Sequence, residues 1–412
     1  MNYKKSIYIV DPSLRWVLTS KSIDEIFLKI NTDKYTEKYK ANKYSLSLIF
    51  IKSFMRVLYY YIVQIFLSKE YMHKSKTSSI IVTSGRGGYE ARNVYKKFQL
   101  DDSNSYAING VNLFEYLKFC KISIGRVFSS FFNSISDFIY ILDSNIPGNV
   151  KSIVLQNGPE NISVYTYLKI FFEDVYKKYP DSVIYSCGAT FSSYAATSFG
   201  LKTINIYHGL IEQIDLSTYP PYDEIYVYSE YEKRYLEKVG VKSDIYVYPF
   251  EKIEHYTDSI IIFLPTTIQG GVESKSLRDI ISLFESNKYK VFIKKHPLNI
   301  SWSIDTWRKK LSINNDNIHE VSNELDGSDV IKDISPKFVI GWTSTSLCEA
   351  LNMGVIPITM SNYNKEYNDQ TDVYPIYRKS LLWPSNCSVI NKIICKSGQG
   401  LYDNVLSGLV SK

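Results

Sequence analysis

Two short stretches in the second half of the chain gather side chains that could handle a phosphate. The first is Lys294-Lys295-His296-Pro297, which closes the run KVFIKKHP (290–297). An imidazole at the tip of a strand can donate to, or protonate, a departing phosphate near neutral pH. The two Lys add positive charge, and Pro297 fixes the turn that aims the group. The second stretch reads IGWTSTSLCEALNMGVIPITM (340–360): a strand, a Gly turn, the hydroxyls of Thr343, Ser344, Thr345 and Ser346, then a helix. Free backbone N–H groups and hydroxyls at a helix start make an anion site. Glu349, one turn in, is placed to accept from a sugar hydroxyl or from its own cap. An ordinary Ser/Thr cap has the same composition. The pairing with a strand-end His-Pro gives the stretch its weight.

The first half offers candidates for a base. In IYHGLIEQ, His208-Gly209 follows a strand and Glu212 comes four residues later, so His208 could take a hydroxyl proton with Glu212 orienting it. In SGRGGYEAR (84–92), Gly87 and its neighbouring glycines let backbone approach a ligand, and Arg86 and Arg92 suit a carboxylate or phosphate. Glu90 is an alternative base. The stretch is neither GxGxxG nor a phosphate-binding P-loop, because Tyr-Glu follows Gly88. QNGPEN (156–161), with Glu160 as a third carboxylate, and SCGATFSS (186–193) read as further strand-end loops. No HExxH, DxD or Cys/His cluster occurs, so no metal is expected.

These groups need elements to position them, and the chain supplies a recurrent pattern of β-branched run and amphipathic stretch. That pattern predicts α/β domains with parallel sheets. Strands are expected at 6–11, 79–84, 105–110, 152–157, 182–187, 203–208, 224–229 and 244–249. The pattern restarts with strands at 259–265, 290–297, 337–342 and 355–360. Helices are expected at 164–179, 229–240, 276–286 and 346–354. A chain of 412 residues exceeds one ordinary core. The expected domains are 1–250, on the acceptor side, and 251–412, holding a nucleotide. Two Rossmann-like halves facing across a cleft would make a GT-B architecture.

Five scattered Cys with no CxxC pair, and Lys4-Lys5 running straight into a strand-like segment, fit a cytoplasmic protein without a secretory signal. Residues 1–78 carry fourteen Lys/Arg and six Asp/Glu, net +8, and the rest of the chain nets −2. Within them lies the apolar stretch Tyr44–Ser68, interrupted by Lys52 and Arg56. A buried helix with two snorkelling cations is the plainer reading, peripheral contact with an anionic membrane comes next, and a true span, interrupted near its middle by Lys52 and Arg56, is the least expected.

The His-Pro and Ser/Thr motifs together resemble those of bacterial sialyltransferases, polysialyltransferases and related transferases of CMP-activated nonulosonic acids. They are also similar to Kdo transferases and to CDP-glycerol glycerophosphotransferases. The resemblance covers roughly residues 258–360. It implies that His296 binds or protonates the leaving CMP phosphate, that Ser344, Thr345 and Ser346 hold it, and that Glu349 contacts the ribose. It also implies a CMP-sugar donor, no separate cofactor, a glycan or lipid-linked oligosaccharide acceptor and no nucleic-acid partner. The acidic pair followed by Gly that such sialyltransferases carry in the N-terminal domain is missing from 1–250. Asp326-Gly327 has one acid and lies in the other half, so the base stays open among His208, Glu212 and Glu90. A strand-end His-Gly also resembles the glycerophosphotransferases, which keeps a polyol-phosphate transferase as an alternative. A UDP-sugar epimerase of similar fold and a non-catalytic polysaccharide-binding or export component are further rivals.

Overall fold

The computed structural model describes residues 45–67, 79–83, 88–110, 112–119, 122–143, 148–187, 191–197, 199–206, 222–238, 241–265, 270–296, 305, 309, 318–322, 325–342, 345–360, 379–395 and 399–411. The segment expected as a strand at 6–11 lies outside them. Two compact units emerge. One takes the chain up to Tyr246 apart from 209–212 and 228–232, and the other takes those two pieces and Val247–Lys412.

The first unit runs α1 (Leu46–Phe66), β1 (Ser79–Thr83), α2 (Gly88–Phe98), β2 (Ser105–Asn109), α3 (Leu113–Phe119), α4 (Ile124–Asp143) and α5 (Gly148–Lys178). It continues with β3 (Val183–Cys187), α6 (Phe191–Ala196), β4 (Lys202–Ile206), β5 (Glu224–Val227), α7 (Glu230–Lys238) and β6 (Asp244–Val247). Its six strands lie in the order β2-β1-β3-β4-β5-β6. β1 pairs in parallel with both β2 and β3. Runs such as SIIVT, buried at every position, are what a parallel sheet covered on both faces requires.

One expected strand is a helix. SIVLQN (152–157) belongs to α5, which continues through Pro159 without a break. A short apolar run carries no period of its own, and here it joins a helical stripe of buried Ile162, Tyr165, Leu168, Phe172 and Val175. QNGPEN is therefore not a strand-end loop. Glu160 is exposed and ion-pairs with Arg56 at 2.9 Å. Nor is the stretch 44–68 a buried helix: α1 buries only Ile49, Ser53, Val57 and Gln64. That stripe packs on α4 and α5, and the Tyr167 hydroxyl donates to the Val57 carbonyl at 2.6 Å.

The second unit contains β7 (Thr257–Phe263), α8 (Gly270–Ser286), β8 (Lys290–Lys294), β9 (Ile318–Glu320), α9 (Gly327–Ile334), β10 (Pro336–Gly341) and α10 (Thr345–Asn352). It ends with β11 (Ile356–Thr359), β12 (Leu381–Leu382), α11 (Cys387–Cys395) and α12 (Gln399–Ser411). The sheet order is β12-β11-β10-β7-β8-β9, parallel throughout. Counted from the first strand of the unit this is 3-2-1-4-5-6, the Rossmann order. The chain thus combines two Rossmann-like α/β units, the composition of the GT-B fold.

One face of the second sheet (Ile260, Ile262, Val291, Ile293, Phe338, Ile340) packs on Leu277, Ile280, Ile281 and Phe284 of α8 and on Ile390 and Ile393 of α11. The other face is covered by α9 and α10. α10 stops at Gly354, whose φ of +87° suits glycine and closes the helix with Val355 N–H donating to the Ala350 carbonyl at 2.8 Å.

Candidate functional site

In a 3-2-1-4-5-6 parallel sheet successive strands are added outward on opposite sides of the central pair, and the loops beyond the carboxyl ends of that pair part to leave a crevice. In the second unit that pair is β7 and β10. Lys294 ends β8, next to β7, and its carbonyl accepts from Leu264 N–H at 2.9 Å. Thr345 opens α10 just past the end of β10. The two stretches singled out from sequence therefore lie on one carboxyl edge, with β7 between their strands.

Side-chain alternation decides which face each group serves. Ile293 enters the core under α8, so Lys294 turns to the α9/α10 face. Only 3% of Lys294 is exposed, and its ammonium has no hydrogen-bond partner among the described residues. Burial draws its pKa below the ordinary lysine value, while the negative charges of Asp326 and Glu349 act in the opposite sense. Asp326 caps α9, accepting from Asp329 N–H and from the Ser328 hydroxyl, each at 2.9 Å. Gly327, the first residue of α9, abuts the start of α10. A Cβ there would lie 2.5 Å from Glu349 Oε2 and 2.7 Å from Ser346 Oγ. Asp326, Ser346 and Glu349 thus gather where α9 packs on α10, and Lys294 lies near enough to feel both carboxylate charges. Together these groups supply one cation, two carboxylates, a hydroxyl and a helix N-terminus.

The remaining candidates fall as follows. Lys295 is committed to an ion pair with Glu320 on β9 at 2.6 Å. His296 and Thr345 are half-buried at the same edge. Pro297, Thr343 and Ser344 lie outside the described residues. In the first unit Glu90 is buried in the first turn of α2. Burial first, and the Glu90 charge second, push up the Cys187 thiol at the end of β3, the strand beside β1. Glu90 therefore sits by the crevice position of its own sheet. Arg92 is exposed on α2. Arg86, Gly87, His208 and Glu212 lie outside the described residues. Ser192 of SCGATFSS is buried and donates to the Gly110 carbonyl at 2.7 Å, a packing role. Among the described residues no group of three or more His, Cys, Asp or Glu stands close enough to hold a metal ion.

Sequence reasoning set Asp326-Gly327 aside as a base in the wrong half, yet both help build the cluster. The local sign was the cap pattern Asp-Gly-Ser-Asp before a helix. It also passed over Trp342, buried at the end of β10 on the opposite face, with an indole N–H lacking a partner among the described residues. A polar groove of about 630 Å³ beside α4 and α5 is not a rival site. Its charges are matched internally, Arg126 to Asp174 at 2.7 Å and Lys169 to Asp137 at 2.6 Å, and none of the sequence-derived candidates lines it.

No protein-family model and no curated protein matches the chain. Among solved structures, the chain is similar to UDP-GlcNAc 2-epimerase of Neisseria meningitidis bound to UDP-GlcNAc, with 12% identity, 80% of this chain and 93% of that one covered, and a TM-score of 0.44. The Methanocaldococcus jannaschii UDP-GlcNAc 2-epimerase in complex with UDP-GlcNAc and UDP gives 12% identity, 81% and 93% coverage and a TM-score of 0.37. The glycosyltransferase SnogD of Streptomyces nogalater gives 8% identity, 82% and 94% coverage and a TM-score of 0.37. At these identities and scores the likenesses assign neither activity nor ligand, and the fold rests on the sheet topology.

Proposed function

We propose that the chain is a glycosyltransferase that moves a nonulosonic acid from its CMP donor to a bacterial capsule or lipopolysaccharide glycan. The observation that carries the nucleotide half of this reading is the buried Lys294 ammonium, unpartnered among the described residues, beside Ser346 and Glu349 at the start of α10. A phosphate at that edge would give the ammonium a hydrogen-bond acceptor and meet the N-terminus of the helix. As the sugar–phosphate bond breaks, negative charge grows on the leaving phosphate. Lys294, His296 and the hydroxyl run would stabilise it there. The choice of CMP and of a sugar acid rests on the resemblance of the His-Pro and Ser/Thr motifs alone.

A thermal-shift panel of CMP, CDP, UDP and GDP, followed by a screen of CMP-sugars against oligosaccharide acceptors, tests the reading. Stabilisation by CMP and turnover of a CMP-sugar are the expected results. A response to UDP alone would turn the reading toward an epimerase, transfer from CDP-glycerol toward a polyol-phosphate transferase, and no response toward a non-catalytic component. His296→Ala should lower turnover by roughly 10²–10⁴-fold with an unchanged melting temperature. Full activity in that variant removes the role assigned to the imidazole.

A further inference from the structure

We infer that α1 is a membrane-docking element, lying in the plane of an anionic lipid surface with its outer face among the acyl chains. The inference stands apart from the reaction assigned above. A helix on the surface of a soluble domain carries polar residues on its outward face. In α1, Leu48, Ile51, Met55, Tyr59, Ile62 and Phe66 follow one another at spacings of three and four, and all are exposed, Met55 to 60% and Phe66 to 82%. The helix contains no Asp or Glu, and its only charges are Lys52 and Arg56. Phe132 and Ile139 of α4 extend the apolar surface, and a shallow groove lined by Leu46, Phe50, Ile135 and Ile139 joins the two helices.

Three observations select a lipid surface as the occupant. The sequence flanking α1 is net positive on both sides: residues 34–43 hold four Lys and one Glu, and residues 69–76 hold three Lys and one Glu. Such clusters on either side of an apolar helix complement anionic headgroups. A second copy of the chain would bring the same positive charge against itself. Finally, α1 is long and apolar enough to cross a bilayer. However, its stripe from Ile49 to Gln64 is fixed against the protein, so the geometry is that of a helix lying on the membrane.

The test uses the full chain in flotation with vesicles of phosphatidylcholine alone or mixed with phosphatidylglycerol and cardiolipin. Binding to the anionic vesicles should be about tenfold or more tighter than to the neutral ones and should weaken with salt. Ile51→Glu/Met55→Glu/Ile62→Glu should lower it by a similar factor. A conservative Met55→Trp, which keeps the surface apolar, should add fluorescence quenched by brominated acyl chains. Indifference to lipid charge, unchanged binding of the triple variant or absence of quenching at position 55 would overturn the inference. So would a dimer that the triple variant splits without any lipid effect.

Discussion

Lys294 is an ammonium held away from water at the foot of the crevice, and its chemistry follows from that position. Burying a cation without a hydrogen-bond partner is costly, and the nearby charges of Asp326 and Glu349 offset only part of the cost, because its pKa stays lowered. Between its lowered folded-state pKa and the ordinary lysine value near 10.5, the unfolded chain therefore binds more protons at this site than the folded one. Stability contributed by the site rises with pH as the ammonium is neutralised. Lys294→Met removes the penalty. The variant should melt above the parent near neutral pH, and the gap should narrow as pH climbs toward 10. Melting curves across that range check the sign, and a gap indifferent to pH would show that the ammonium is not under strain. A nucleotide phosphate would supply the hydrogen-bond acceptor that the ammonium lacks among the described residues, so the same variant should lose nucleotide-induced stabilisation. Greater stability with lost binding is the pattern of a ligand-binding group, whereas a structural lysine would lose stability on removal.

At the level of elements, the three-helix layer of the first unit turns on one close approach. Gly158 lies in α5 where that helix meets α1 and α4, and a Cβ there would come within 2.6 Å of Phe138 and 3.3 Å of Ile49. Gly158→Ala should cost about 1–3 kcal/mol through overpacking, despite the better helix propensity of Ala. Denaturant titration measures it, and a neutral or stabilising result would mean that the helices part easily. The same layer shows where sequence reading ran out. Buried parallel strands such as SIIVT and the IIIF end of β7 announce themselves as continuous apolar runs, and the strand end at Lys294 and the helix start at Thr345 were legible for the same local reason. SIVLQN looked like another such strand, because only its continuation into α5 fixes its period. The apolar pattern of Tyr44–Ser68 is the same whether its outer face meets protein, lipid or water. The contact of Gly327 with Ser346 and Glu349 arises from α9 packing on α10, which no local spacing encodes.

At the scale of the molecule, the hydrophobic interior is divided. One core cluster, from Ile49 to Leu201, draws only on the first unit, and the other, from Ile260 to Leu409, only on the second. Cooperative unfolding follows shared cores, so two cores imply two melting transitions. The candidate phosphate cluster belongs wholly to the second unit, whereas Gly158 belongs to the first. Scanning calorimetry of the full chain should therefore resolve two transitions that answer to different perturbations. Gly158→Ala should lower one of them. The preferred nucleotide, at about a hundred times its Kd, should raise the other by roughly 2.7 kcal/mol, or on the order of 5–10 °C for a unit of this size. Lys294→Met should abolish that second shift and leave the first transition where it was. If the nucleotide raised both transitions together, its binding would have to draw on both units, and the base would then be sought in the first; if Gly158→Ala lowered both, the two cores would unfold as one.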